Sequence, residues 1–432
     1  MQYVRAAARR AGLAFAVPAG AAHTAAMPPS IADATPSSAP GSARRLILLL
    51  GLAAFAGALS VRATDPFVPT IAAEFASSTD RVALLATAFA IPFAAIQPIL
   101  GPVGDALGKR RIIRLALLLL SVFALLAPLA PDLTTLTVLR ALTGAAAGGI
   151  MPLTLASVAD AVPMAERQVA LSRVVVFSIA GQIAGGALAG VLAPVLGWRG
   201  VLALCGGVAL LTAALLFLIP FGGPREPRRR FEPMQAMRRY RMLLGMPAAR
   251  LLFLSVFVEG MLVFGTFPYL APVLQGRGLG SGEGASLEAG LAVAAFGGGG
   301  FVYAALARSL LHRLGQARMV RLGGVIAGLA LLGFGFAPVA TLFIAAGLVL
   351  GTGFYMIHNS IQTRVTEVAP EARGSAVALH ACHFFGGQSL GPVVVGLAIG
   401  GFGAPAAFTL AAAGIFALSL RLGRREPGPR PA

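Results

Sequence analysis

Apolar positions run along this chain in blocks rather than stripes. From residue 46 onward, long mostly apolar stretches alternate with short polar breaks. A helix needs about 20 such residues to cross a bilayer. Twelve stretches qualify: 46–74, 82–102, 112–130, 134–160, 168–194, 200–220, 251–274, 287–309, 319–337, 340–363, 374–400 and 403–422. The first is long, and Asp65 and Pro66 interrupt its outer part. Six stretches lie in residues 44–220 and six in 251–422, on either side of an Arg-rich segment, 221–250. Halves of nearly equal length point to an internal duplication.

Composition turns this pattern into an integral membrane protein. Of 432 residues, 57% are apolar and 12% charged, about half the charged share of a soluble domain. Mean hydropathy is +0.83. These values exclude a soluble enzyme, a disordered chain and a nucleic-acid binder that merely looks basic. The net charge is +18, and it is one-sided. Arg44 and Arg45, the 109–114 turn, the 225–250 segment, the 308–321 turn, Arg364, Arg373 and Arg421 to Arg425 all fall on one side. The other side is nearly uncharged. Positive-inside logic places both termini and the central segment in the cytoplasm, which an even number of spans allows. Arginine dominates, Lys109 being the sole lysine, and with the Ala and Gly usage this points to a high-GC bacterial genome. The expected location is a bacterial cytoplasmic (inner) membrane. Cys205 and Cys382 lie in apolar runs and read as small buried hydrophobes.

Three segments lie outside the spans. Residues 1–43 are rich in Ala, Pro, Ser and Arg and read as a disordered cytoplasmic tail, or as a mis-annotated start with Met27 as the true first residue. Residues 423–432 form a second cytoplasmic tail. The 221–250 linker reads either as a short amphipathic helix on the lipid surface or as a flexible basic tether.

The most specific motif is Gly101-Pro-Val-Gly-Asp105-Ala-Leu-Gly108-Lys109-Arg110-Arg111 between spans two and three. Glycines permit a tight turn, and a carboxylate beside cations can form pairs that exist in one conformation only. The segment resembles the loop signature of the major facilitator superfamily, G-x-x-x-D-(R/K)-x-G-R-(R/K), with Ala106 in place of a basic residue. A worn copy, Arg308 to Arg318, sets Gly315 where Gly108 stands and His312 where Asp105 stands. The resemblance covers the whole 44–422 region. It implies an all-α fold of twelve transmembrane helices in two six-helix pseudo-symmetric bundles, with spans one, four, seven and ten around a central cavity.

Within the spans, polar residues are few, so each carries weight. Arg140, in Leu136-x-x-x-Arg140-x-x-x-Gly144, resembles the superfamily's fourth-span motif, tied there to proton transfer. Its alternative is an arginine snorkelling to the outer leaflet. Gly181, Gly185, Gly186 and Gly190 in span five partly match the exporters' antiporter signature G-x-x-x-G-P-x-x-G-G. Small residues at this spacing also permit close helix contact between the bundles, with Gly297 to Gly300 as the facing surface. Arg62 and Asp65 are three apart and can pair on one helix face. Asp65-Pro66-Phe-Val-Pro69 resembles the D-P-x-x-P feature of drug–proton antiporters, and a salt bridge at the mouth fits it equally well. Glu259 lies nine residues from Arg250, about 13 Å deep at 1.5 Å per residue. An intramembrane acid is a functional residue by default. His358, Asn359, His380 and His383 fall at overlapping depth and suggest a polar or proton-responsive cluster rather than a metal site.

The expected function is proton-coupled export of a small organic solute by alternating access. Asp65, Arg62, Arg140, Glu259, His358, Asn359 and His383 would line the coupling cavity. Gly101, Asp105, Gly108, Lys109 and Arg110 would form the cytoplasmic gate, with Asp105 and Arg110 as its latch. The partners are a small-molecule substrate, protons and the lipid bilayer; no cofactor or nucleic acid is expected, the proton gradient is the energy source, and the protein is expected to be a monomer. Import by proton symport, of an organic anion held by Arg62 or Arg140, is the first alternative. A transporter-like sensor without flux is the second.

Overall fold

A computed structural model describes residues 40–221, 233–279 and 283–424. The tail readings for 1–39 and 425–432 fall outside the described residues, as does most of 221–232. The described residues form one compact unit, and among them every regular element is a helix.

All twelve apolar stretches are helical. Span one is broken, as Asp65 and Pro66 imply: a helix Pro40–Leu59, a 3-10 turn Asp65–Phe67 and a short helix Val68–Glu74. Span seven repeats the device, with Pro247–Phe264, a turn at Phe267–Tyr269 and a helix Leu270–Gly276. In both, proline lacks the amide that would continue the ladder. Span two, Thr79–Leu107, starts on a Ser78 cap and carries Pro92, Pro98 and Pro102. Spans three to six are Lys109–Leu126, Leu133–Ala161 with a break at Gly149, Met164–Val191 and Ala193–Leu218. One helical run, Glu283–Phe336, holds both spans eight and nine and bends at Gly315. Spans ten to twelve are Ala340–Glu367, Arg373–Phe402 and Ala404–Leu422.

The duplication is visible in the backbone. Gly108 and Gly315 open spans three and nine with positive φ, 95° and 69°. Gly197 and Gly403 do the same for spans six and twelve, at 61° and 79°. Only glycine enters that region without strain. Six residues past the first pair, Arg114 donates to the Leu216 carbonyl at 2.7 Å and Arg321 to the Gly423 carbonyl at 2.5 Å. Each capping contact closes the free end of its half's last helix.

Buried apolar side chains follow the halves. One large core belongs to spans seven to twelve, joined by Ala83 and Leu243, while two smaller cores lie within spans one to six. Large apolar side chains also face outward, among them Leu129, Val195, Leu218 and Phe402, each more than 70% exposed. That outward-facing greasiness is what lipid demands.

Candidate functional site

Two buried polar clusters sit between the helices. The first is built by spans one and four. The break after Leu59 turns Arg62 and Asp65 inward, where they are 3% and 1% exposed and pair at 3.3 Å. Arg62 also donates to Gln388 of span eleven, reaching across the halves. Its guanidinium lies 4.5 Å from the Phe264 ring centre and 5.4 Å from that of Phe267. Arg140 is 1% exposed, donates to the Ser60 carbonyl at 3.1 Å and stacks over Phe89 at 4.5 Å.

These positions decide against one alternative at each of two residues. Arg140 does not snorkel, because it is buried and its Nη1 turns to a carbonyl freed by the break in span one. Asp65 is no salt bridge at an open mouth, because it is as fully buried as its partner Arg62. The cluster holds two guanidinium groups and one carboxylate. Among the described residues, Arg62 Nε, Arg140 Nε, Arg140 Nη2 and Asp65 Oδ1 have no partner. A small cavity of about 10 Å³ adjoins it, lined by Arg62, Gln182, Phe264, Phe267, Phe296 and Tyr355 among others. That is room for roughly one water molecule.

The second cluster is built by spans seven, ten and eleven. Glu259 is fully buried, and its Oε2 lies 2.9 Å from His358 Nδ1. Its Oε1 has no partner among the described residues. The His358 ring stacks on Phe354 at 5.0 Å and lies 5.3 Å from the His380 ring. His380 is 4% exposed, and its Nε2 is without a partner among the described residues. His383, the expected third member, turns away: its Nδ1 lies 2.7 Å from the Leu379 carbonyl and its ring stacks on Phe253. A spacing of three puts both histidines near one face, but only His380 points to span ten. Asn359 likewise turns to Tyr303 of span eight.

In the turn between spans two and three, Lys109 is the centre of the loop motif. It lies 2.5 Å from Asp105 and 2.8 Å from Asp160 at the end of span four. Arg110 stacks over Phe221. The expected Asp105–Arg110 latch is therefore replaced by a Lys109-centred triad that ties spans two, three and four within one half. The turn at Gly108 aims residue 109, not 110, back at span two. Asp160 was missed, although a lone acid closing an apolar span was a usable signal. The surroundings of Gly101 lie outside the described residues.

The span-five glycines divide between two partners. A Cβ on Gly181 or Gly185 would strike the Phe55 or Leu59 carbonyl of span one, in the same half. A Cβ on Gly186 or Gly190 would strike Val293 or Gly290 of span eight, in the other half. Only the second pair is interbundle packing. Of Gly297 to Gly300, only Gly297 faces span five, against Ile183, while Gly299 and Gly300 face span ten. Four consecutive residues of one helix point in different directions, so no run of four can share a face.

Contacts between the halves join spans five and eight, and spans two and eleven. Thr87 donates to the Ser389 carbonyl at 2.7 Å, and the Phe93 and Phe385 rings lie 4.1 Å apart.

Comparison with known proteins places this arrangement. The sequence profile of the Major Facilitator Superfamily matches residues 50–392 and 284–432. A Streptomyces coelicolor protein named "Probable transporter SCO4007" is 30% identical over 377 residues, covering 84% of each chain. The "Gallate transporter" of Pseudomonas putida is 26% identical over 368 residues, covering 74% of this chain and 78% of its own. Among solved structures, a bacterial homolog of the human lysosomal transporter Spinster, in an inward-facing and unoccupied conformation, superposes with a TM-score of 0.70. The match covers 89% of this chain and 95% of that one at 19% identity, a likeness of fold. The chain belongs to the Major Facilitator Superfamily: it is a multi-pass membrane transporter of a small molecule, not an enzyme.

Proposed function

We propose, with superfamily membership as the premise, that this transporter exports a small organic solute in exchange for protons, and that Glu259 with His358 carries the proton. The carrying observation is the Glu259 carboxyl, fully buried, with one oxygen on His358 and the other without a partner among the described residues. A carboxylate at such a place lacks a permanent cation, so its ionised form is costly there. Among the described residues, the His358 imidazole is the group in hydrogen-bond contact with this carboxyl, and it can share or surrender a proton. Solute and proton are coupled when the solute binds better to one protonation state than to the other. The Lys109 triad would hold spans two, three and four as one unit while the halves move.

The test is proton flux in inside-out vesicles with a pH-sensitive dye and a panel of solutes. A solute that discharges the gradient through wild type, and not through Glu259→Gln, supports the reading. Discharge that persists in Glu259→Gln overturns it.

One observation favours a second reading, proton-coupled import of an organic anion. The Arg62, Arg140 and Asp65 cluster carries more cationic than anionic groups, with unused N–H donors. The name of the Pseudomonas putida relative agrees with an aromatic acid as solute. Right-side-out vesicles separate the two readings: import by symport makes the medium more alkaline when the anion is added outside, and antiport does not.

A further inference from the structure

The linker helix, Pro233–Gly245, has no part in the reading above. Its sequence is PMQAMRRYRMLLG. Leu243 is buried and Ala236 and Tyr240 are half-buried, and all three lie on the side that packs against spans seven and eleven. The remaining surface carries Met234, Met237, Met242 and Leu244, exposed at 67, 55, 42 and 42%. Arg238, Arg239 and Arg241 are exposed among them. A water-facing helix does not gather four large apolar side chains in so short a length. An interfacial helix does: the apolar groups enter the acyl boundary and the guanidinium groups reach the phosphates.

The inward side carries a second, independent feature. The Tyr240 hydroxyl donates to the Pro98 carbonyl of span two at 3.1 Å. In an unbroken helix that carbonyl would accept from the amide of residue 102, which here is a proline and has none. The linker thus fills a hydrogen-bond vacancy that span two cannot fill itself.

We propose that the linker helix is a docking surface for anionic phospholipid, and that the lipid, by seating this helix, fixes Tyr240 on span two. Charge complementarity selects the occupant: three arginines and no acidic residue lie between Pro233 and Gly245. A zwitterionic surface offers them no net attraction, whereas an anionic one attracts each. The inference uses membrane embedding alone and stands apart from proton coupling at Glu259.

The test is hydrogen exchange on the full chain in nanodiscs of phosphatidylcholine alone, and of phosphatidylcholine mixed about two to one with phosphatidylglycerol. The anionic discs should slow exchange at residues 234–245 by roughly fivefold or more, and also slow it at Val103–Leu107, just past the vacancy. The R238Q/R239Q/R241Q variant should lose both effects. Tyr240→Phe should keep the first and lose the second. Equal exchange in the two discs, or a lipid effect that survives the triple variant, overturns the proposal. So does a slowing that appears only when two protein copies share a disc, which would make the occupant a second copy.

Discussion

The two halves share a scaffold and differ in chemistry. Gly144 meets the Phe89 carbonyl in the first half, and Gly351 meets the Phe296 carbonyl in the second. Gly181 and Gly185 meet Phe55 and Leu59, and Gly387 and Gly391 meet Phe257 and Met261, in the same order. Counted from these pairs, Arg62 and Asp65 fall opposite Phe264 and Phe267, Arg140 opposite Gly347, and Glu259 opposite Gly57. The first half places Arg62, Asp65 and Arg140 in spans one and four, and the second places Glu259 and His358 in spans seven and ten. The Arg62 guanidinium rests on the two phenylalanines that occupy its own and Asp65's places in the other repeat. Backbone-to-backbone contacts leave no room for change and so stay alike. Side chains facing the centre meet no such limit and have diverged, giving each half its own part.

The sharpest way to break this comparison is to neutralise one acid in each half. Under the proposed function, Glu259→Gln reduces solute-driven proton flux to background, whereas Asp65→Asn leaves a measurable flux. The reverse result, with both proteins folded, would move the proton site to the first half. The next largest effect is on stability. Arg62→Met strands Asp65 as a buried charge without its ion-pair partner, and such a loss costs about 3–5 kcal/mol. Adding Asp65→Asn should recover part of it. Unfolding in detergent measures both, and no recovery would mean that Arg62 stabilises through Gln388 and the aromatic rings instead. A third test takes the scaffold itself. Gly185→Ala and Gly391→Ala each push a methyl within 3.0 Å of a backbone carbonyl. Overpacking of this kind costs about 1–3 kcal/mol, and the two costs should be alike. A large inequality would show that the duplication is one of path and not of packing.

Legibility followed the same division. The spans, the interrupted first helix and the pairing of Gly108 with Gly315 were readable, because apolar length and glycine placement act locally; the second pair, Gly197 and Gly403, showed only in the backbone. So was the presence of Glu259, Asp65 and Arg140, since a charge inside an apolar run is conspicuous. What each one touches was not readable. Lys109 rather than Arg110 meets Asp105, because the turn at Gly108 sets its direction. His380 rather than His383 meets His358, because the crossing of spans ten and eleven selects one of two histidines on nearly the same face. Gln388 reaches Arg62 from a distant part of the chain. Periodicity along one helix carries no information about its neighbour's rotation, and the division of the span-five glycines between two partners has the same cause.

The smallest expected difference lies at the start of spans four and ten, corresponding places in the repeat. Asp132 caps span four, accepting from the Thr135 amide at 2.8 Å and the Thr135 hydroxyl at 3.1 Å. Val339, at the start of span ten, makes no side-chain cap. The Thr135 amide, against a slight opposing effect of burial, holds the Asp132 carboxyl below its ordinary range. A carboxyl whose folded-state value is depressed adds stability above its unfolded value, and that stability fades as pH falls through the folded one. Asp132→Ala should therefore lower the melting temperature slightly at neutral pH, and the gap from wild type should close in the acid range. Val339→Asp should do the converse, raising stability at neutral pH only, because it supplies an acceptor to amides that have none. A pH-independent effect of Asp132→Ala would mean that its backbone geometry, φ −150° and ψ 166°, starts the helix without the charge. Span ten begins from nearly the same geometry, at φ −140° and ψ 151°, so the Val339 variant decides whether the cap or the path of the chain sets where these helices start.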